Sequence, residues 1–412
     1  MNKYYITYRR KFAVSNSICF GNEAGLKILA GLAAFLLLVT HSTTVTQAAT
    51  IEIWAGIEFE TAQNVKEHVE ALTEHTVEVR PFDINSIRAE LVVADPRDAA
   101  FPDAIWVPSD FLGLSDYIDI STIPNSWVDK SRYEPKALEV VDINGQLKAL
   151  PVAIGNQLAL YSRNQITTPV TWELLIAQAQ ASSRKTIAFP NPNMYFYLSF
   201  HQLFSNQPLS SRNIDGESVV AIFDFIEHLE SQGVIASDCD NQCARKMFIE
   251  GEIDYLIDGD WAYHELVEAE PNLTINSLPT YKGKKMASFS GAKVFAITEK
   301  GMQDIEKQMV LREMVSYLQS NRFSYLARSD AMMSPFKDVN HKRMTSNQKD
   351  FTQMYRQFQA AQMMSSDYYM AIVWEASARA LERYKLGMPK DEIPAFYDDF
   401  VARYAKQVGG KQ

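Results

Sequence analysis

Within this 412-residue chain, the residues best suited to chemistry lie in Gly251–Tyr263, GEIDYLIDGDWAY. Tyr255, Leu256 and Ile257 predict a short buried strand, Asp258-Gly259-Asp260 the turn that ends it, and Trp261-Ala262-Tyr263 the first turn of a helix. Open α/β sheets bind ligands beyond the carboxyl ends of their strands, so Trp261 would face a cleft, although a ring this large could equally be core. Catalytic patterns are poor. His264-Glu265-Leu266-Val267-Glu268 lacks the second histidine of a zincin and reads as a solvated helix face. The chain contains no G-x-S-x-G, no P-loop and no G-x-G-x-x-G. Asp238-Cys239-Asp240 lacks the glycine and terminal glutamate of a calcium loop. Adjacent tyrosines such as Tyr368-Tyr369 can hold ferric ion, but the helix around them reads as packing. No catalytic residue, metal ligand or cofactor is therefore assigned, and the expectation is a protein that is not an enzyme.

The elements that must position Trp261 belong to an exported protein. Lys3, Arg9, Arg10, Lys11 and Lys27 precede the apolar run Ile28 to Val39, and Thr46-Gln47-Ala48-Ala49 offers small residues for cleavage, the layout of a secretory signal over residues 1–49. Twelve apolar residues are short of the roughly 20 a membrane span needs. Residues 1–49 hold five of the 40 basic and one of the 50 acidic residues, so the remainder carries 35 and 49, a net charge near −14. That balance repels phosphate backbones and anionic lipid surfaces, which excludes nucleic acid as a partner. Cys19 lies in the signal, leaving Cys239 and Cys243 in an oxidising compartment. If Asp238 to Met247 is helical or turn-like, their i, i+4 spacing places the Cα atoms about 6 Å apart, within reach of a disulfide. Free or metal-binding thiols are the alternative, although two cysteines without a second ligand pair make a poor zinc site.

The exported part, 47% hydrophobic over the whole chain, is long enough for two domains. Ile51-Glu52-Ile53-Trp54 alternates as a strand, and Ala62, Val65, Val69 and Leu72 recur at helical spacing. Val77 and Val79 begin a second strand, Ile84 to Val93 a second helix, and Ala104 to Val107 a third strand between Pro102 and Pro108. Such alternation predicts a largely parallel sheet with covering helices. Leu150 to Tyr161 reads as one strand that passes from a first lobe to a second, with Gly155 at the crossing where backbone freedom is needed. Val219, Ile222, Phe223, Ile226 and Leu229 mark an amphipathic helix that ends before Gly233. Ala371, Trp374, Ala378 and Leu381 form one face of a later helix. Pro389 then predicts the start of a last helix with a stripe of Ile393, Phe396, Phe400 and Tyr404.

The stretch around Trp261 resembles the G-E-x-A-M-x-x-x-G-x-W segment of the extracellular solute-binding proteins that feed ABC transporters, in the carbohydrate-binding branch that includes maltose-binding proteins. Further pieces match in the same order: IEIW at 51–54, FPDAIWVPSDF at 101–111, NGQLKALPVAIGNQLALYSRN at 144–164, TWELL at 171–175 and LPTYKGKKMASFSGAKVFAI at 278–297. The resemblance implies an α/β, two-lobe periplasmic binding protein fold of type II, with discontinuous lobes joined by hinge strands. Chain re-crossings at Ser290-Gly291-Ala292 and near Met333 to Phe336 rest mainly on it. The implied division is 1–49 signal peptide, 50–154 and 291–335 first lobe, and 155–290 and 336–412 second lobe. The implied function is capture of a sugar or oligosaccharide in the periplasm, by lobe closure, for an inner-membrane ABC permease. A sensing module that presents the same closed form to a receptor or sensor kinase is the alternative. The chain is expected to be a monomer.

Sites for neutral sugars need flat rings against pyranose C–H faces and amides or carboxylates for the hydroxyls. The candidate rings are Trp106, Tyr195, Trp261, Tyr263 and Trp374; the candidate polar groups are Glu58, Asp110, Asn156, Gln157 and Asn193. Each has a plainer reading as a core ring, a helix cap or a solvated carboxylate. Departures from the maltose-binding pattern fall at these places. Glu58-Phe59 stands where that pattern has Asp-Lys, Val107-Pro108-Ser109-Asp110-Phe111 where it has Trp-x-x-Asp-Arg, Gly155 where it has an acidic hinge residue, and Asn193-Met194-Tyr195 where it has Glu-Pro-Tyr. Four charged hydroxyl-gripping positions are thereby replaced, which argues against maltose as the ligand.

Overall fold

The computed structural model describes residues 48–412 apart from 57–58, 116–117, 164–169, 183, 322, 324–332, 347–348 and 410–412. The expected signal segment up to residue 47 and the candidate Glu58 lie outside the described residues. Among those described, no helix is long and apolar enough to cross a membrane.

Ten strands fall into two main sheets. In chain order they are β1 (Thr50–Ala55), β2 (Thr76–Pro81), β3 (Ala104–Pro108), β4 (Leu150–Gly155), β5 (Leu158–Ser162), β6 (Ile187–Ala188), β7 (Tyr255–Gly259), β8 (Thr274–Asn276), β9 (Phe289–Ile297) and β10 (Gln362–Met363). The first sheet runs β10-β9-β3-β1-β2, with β4 also paired to β9. β1 is parallel to β2 and β3, because the helices Phe59–Leu72 and Ile84–Val93 carry the chain back between them. β9 enters antiparallel to both β3 and β4. The second sheet, β8-β5-β7-β6, is antiparallel except for its β6–β7 pair. The expected parallel arrangement thus holds in the first sheet for β1, β2 and β3 and for the short β9–β10 pair, while β9 runs against β3 and β4.

Burial explains the division. β4, β5 and β9 are buried along their whole length, so they read as mainly apolar runs, interrupted in β9 by Ser290 and Lys293. One core cluster gathers around the first sheet and extends to Cys239, Phe248 and Leu256. A second surrounds Leu158, Leu160 and Trp172, which are covered by the helix Gly216–Ser231 and the C-terminal helices. The apolar run expected as one strand is two, because Gly155 takes φ +122° and Asn156 φ +49° and break it. β4 ends in the first sheet and β5 begins in the second. Within the first sheet, Gly291 of β9 pairs with Gly155 while Phe289 and Ser290 pair with β10. Ile154 bridges to Met333 beside that pairing.

Helical expectations needed small corrections. The last helix is Ile393–Gly409, with Pro394 and not Pro389 in its first turn. Its buried stripe is Ile393, Tyr397 and Val401; Phe396, Phe400 and Tyr404 instead stack on one another at the margin. In the helix Tyr368–Lys385 the buried face is Met370, Ile372, Val373, Ala376, Ser377 and Ala380, so Ala378 faces outward and Trp374 lies at its edge. The cysteines form a disulfide, with Cα atoms 5.3 Å apart. Cys239 stands outside the helix Asn241–Ile249, in a bridge to Asn191, so the bond ties that bridge to the first helical turn.

The segment Glu134–Lys136 clasps the helix Lys349–Ala360. Glu134, 4% exposed, accepts from Asn340 Nδ2 at 3.0 Å and Tyr355 Oη at 2.8 Å. Lys136 Nζ donates to the carbonyls of Phe358, Gln359 and Ala361, which caps the helix C-terminus with a cation. Burial holds its ammonium below the usual lysine range.

Candidate functional site

Where the chain changes sheets, three aromatic residues meet. Tyr195 lies 5.9 Å from Trp261 and 6.2 Å from Trp374, and Trp374 meets Phe289 edge-on at 6.1 Å, centroid to centroid. Each of the three is only partly buried, so the cluster retains surface. Sequence explains the local geometry. Asn193 caps the helix Met194–Leu198 by accepting from Tyr195 N at 3.0 Å, which fixes where Tyr195 leaves the backbone. Asp367 caps the helix that carries Trp374. β7 ends at Gly259, a single 3₁₀ turn Asp260–Ala262 follows, and the helix Tyr263–Ala269 begins. The strand therefore runs two residues further than its apolar core suggests. Trp261 folds back across Gly259, where an added Cβ would lie 2.2 Å from the ring.

The crossing itself is bonded to this cluster. Tyr195 Oη donates to the carbonyls of Asn156 and Phe289, one on each side of the β4–β9 crossing. Asp260 N donates to Gln157 O at 3.0 Å. The Asp260 carboxylate, 4% exposed, rests against Gly155, where a Cβ would fall 1.8 Å from Oδ2. Burial first, and then the negative charges of Asp260 and Asp110, push the Tyr195 phenol well above its usual value, so it stays a neutral donor.

Asp110 lies in the 3₁₀ segment Ser109–Leu114 that follows β3. Its Oδ2 takes a 2.7 Å ion pair from Arg88, whose guanidinium sits 4.2 Å from the Phe111 ring centroid. Ser109 Oγ accepts from Ala292 N at 3.2 Å, and Gly113 abuts the Asp367 carbonyl so closely that a Cβ would sit 2.6 Å from it. The segment after β3 is thus packed on the crossing strand and on the start of the Trp374 helix.

The remaining candidates divide. Trp106 is 0% exposed, set between Phe295 at 5.8 Å and Phe323 at 6.4 Å in the middle of the first sheet. It belongs to the core and offers no face to a ligand, because the residues packed over the sheet, Phe323 among them, cover its ring. Gln157 is 1% exposed and donates from Nε2 to Met354 O at 2.8 Å, so it ties the crossing to the helix Lys349–Ala360 and does not reach the rings. Tyr263 donates to Asp350 Oδ2 at 3.2 Å, away from Trp261. Tyr369, one of the two adjacent tyrosines, carries the Arg212 guanidinium 3.8 Å from its ring centroid. Among the described residues, no group of three His, Cys, Asp or Glu is placed to hold a metal.

Sequence reasoning missed three contributors. Arg88 is a surface-helix arginine with no local signal, Phe289 looked like strand core, and Asp260 was read only as turn. Behind the site, Asp258 is fully buried and paired with Arg245 at 2.7 Å, and its Oδ1 accepts from Gly259 N. Burial pushes its carboxyl up, against the pull of Arg245. The arrangement offers flat apolar rings, neutral hydroxyl and carbonyl groups and the carboxylates of Asp110 and Asp260. Chemically, such a set suits a neutral polar solute.

Among solved structures the chain is similar to the maltose/maltodextrin-binding domain MalE from Bdellovibrio bacteriovorus bound to maltotriose, with a TM-score of 0.77 over 87% of this chain and 100% of that one at 17% identity. The likeness carries the fold, a two-lobe periplasmic binding architecture of type II. Residues 64–305 match the model of the bacterial extracellular solute-binding protein family. That span exceeds half of the chain, and the protein belongs to the bacterial extracellular solute-binding protein family.

Proposed function

We propose that the protein captures a neutral sugar or oligosaccharide at the Tyr195–Trp261–Trp374 cluster and delivers it to an inner-membrane ABC permease. Asn156, Asn193 and Asp110 are the polar groups nearest that role. The observation that carries the reading is the meeting of three partly buried rings at the point where the chain changes sheets. The similar Bdellovibrio domain is bound to maltotriose, which adds support for a saccharide as the class of ligand. The lobes would be 50–154 with 291–335 and 155–290 with 336–412, supported by the sheet change after Gly155, by the Gly155–Gly291 pairing and by the Ile154–Met333 bridge. Closure is then a population shift driven by contacts that exist only when both lobes meet the ligand. Export by a signal cleaved after residue 49, a periplasmic location and a monomeric state complete the proposal. Gly155 and Asn193, where the maltose pattern has acids, argue for a saccharide other than maltose. A thermal-shift screen against mono- and oligosaccharides, amino acids and ferric citrate tests the class: stabilisation by a saccharide supports it, and stabilisation by amino acids or ferric citrate alone overturns it.

A further inference from the structure

We propose a second small-molecule site, away from the aromatic cluster, that takes a neutral polyol or a small saccharide held without ring stacking. A cavity of about 800 Å³ opens between the β5–β8 edge of the second sheet and the helix Lys349–Ala360. Its size falls within the range of about 300–1,000 Å³ common for ligand sites. Neither Tyr195, Trp261 nor Trp374 lines it, and no other aromatic among the described residues does.

The lining is chemically selective. Six carboxamides face the cavity, from Gln157, Gln202, Asn276, Gln353, Gln357 and Gln362, with no carboxylate among the lining residues. Each carboxamide is both donor and acceptor, which suits a hydroxyl fan and gives no charge for an ionic ligand to match. Gln353 and Gln357 are i, i+4 neighbours on one helix face, and their amides reach Ser277 Oγ at 3.5 Å and Asn276 O at 3.3 Å, the long end of the hydrogen-bond range. Leu158, Ile275 and Met286 supply an apolar floor for C–H groups. Lys285 is the single cation, and it is exposed at the rim.

Gln157 gives the second, independent observation. It is 1% exposed and must turn its Nε2 toward Met354 O, since the flipped amide would set two acceptors together. That leaves Oε1 buried without a hydrogen-bond partner. A buried acceptor in this state is costly, and a hydroxyl donor delivered to the cavity would relieve it.

Calorimetric titration of the purified protein with myo-inositol, sorbitol and trehalose, and with glucuronate as an anionic control, tests the site. At least one neutral solute should bind saturably, keep its affinity within twofold in Trp261→Ala, and lose it at least tenfold in Gln353→Ala/Gln357→Ala. Both glutamines are partly exposed on a helix and alanine is a good helix former, so the double variant should fold; Gln357→Glu serves as a second variant with the same expected loss. Three results would overturn the proposal: no saturable binding of any neutral solute, tighter binding of glucuronate, or binding abolished by Trp261→Ala and unmoved by the glutamine variants. The last outcome would leave the saccharide reading of the aromatic cluster intact while removing the second site.

Discussion

Gly155 has no room for a side chain, and its φ of +122° lies where L-residues rarely go. An alanine there must displace the Asp260 carboxylate and strain the backbone at the crossing. We expect Gly155→Ala to cost about 1–3 kcal/mol in denaturant unfolding, the range for an enforced unfavourable conformation. A variant as stable as the parent would mean that the crossing is more compliant than drawn here. Single residues were unevenly legible in the sequence. Gly155 was found because a glycine interrupting an apolar run points to a special backbone. Trp106 and Trp261 could not be told apart, since each follows β-type residues near a turn; what separates them is whether residues distant in sequence, such as Phe295 and Phe323 at Trp106, close over the ring. Gln157 was placed correctly at the crossing, but its side chain's direction depends on Met354, nearly 200 residues away.

At the scale of elements, the helix Asn241–Ile249 organises the approach to Trp261. Its Arg245 is the partner of the buried Asp258, one residue before the glycine that Trp261 covers. Arg245→Met would leave that carboxylate uncompensated, at a cost of about 3–5 kcal/mol near neutral pH. Asp258 already has a raised carboxyl through burial, and without Arg245 it rises further. Because a raised carboxyl is penalised only when ionised, the variant's deficit should shrink as the pH falls toward the acidic range, as unfolding across pH would reveal. The same helix is tied by Cys239–Cys243. Thiol titration of unfolded, unreduced protein should find no free thiol among these two, and reduction should cost about 2 kcal/mol or less because the closed loop is tiny. Elements with clear periodicity, such as Ile84–Val93, matched their expected bounds. The antiparallel second sheet did not announce itself, because β5 and β7 are almost wholly buried and carry no alternation to read.

The whole molecule is acidic, rich in buried tyrosines and divided between two sheets, and these traits govern how it can be tested. Burial pushes Tyr263 and Tyr355 up to about 12, with Asp350 and Glu134 adding to the respective shifts. An unfolded tyrosine titrates near 10, so the stabilising contribution is complete below about pH 10 and is lost as the pH rises through about 12. The melting temperature should therefore fall steeply across that interval, with tyrosinate absorbance appearing in step; early tyrosinate without unfolding would contradict the burial. The family and the fold could be read from six short matches, which span β1, β3, β4, β5, β7 and β9 and the start of the helix Trp172–Ser182. The ligand could not, since specificity rests on which rings keep an open face once the two sheets are assembled. The most direct measurement is the affinity of Trp261→Ala for the saccharide that most stabilises the parent, set beside its unliganded melting temperature. Loss of a ring platform should weaken binding by about 1–3 kcal/mol with the melting temperature nearly unchanged. Trp106→Ala, by contrast, should cost about 3–5 kcal/mol of stability as a truncated core ring. A large fall in melting temperature for Trp261→Ala with unchanged affinity would contradict the account and place Trp261 in the core beside Trp106.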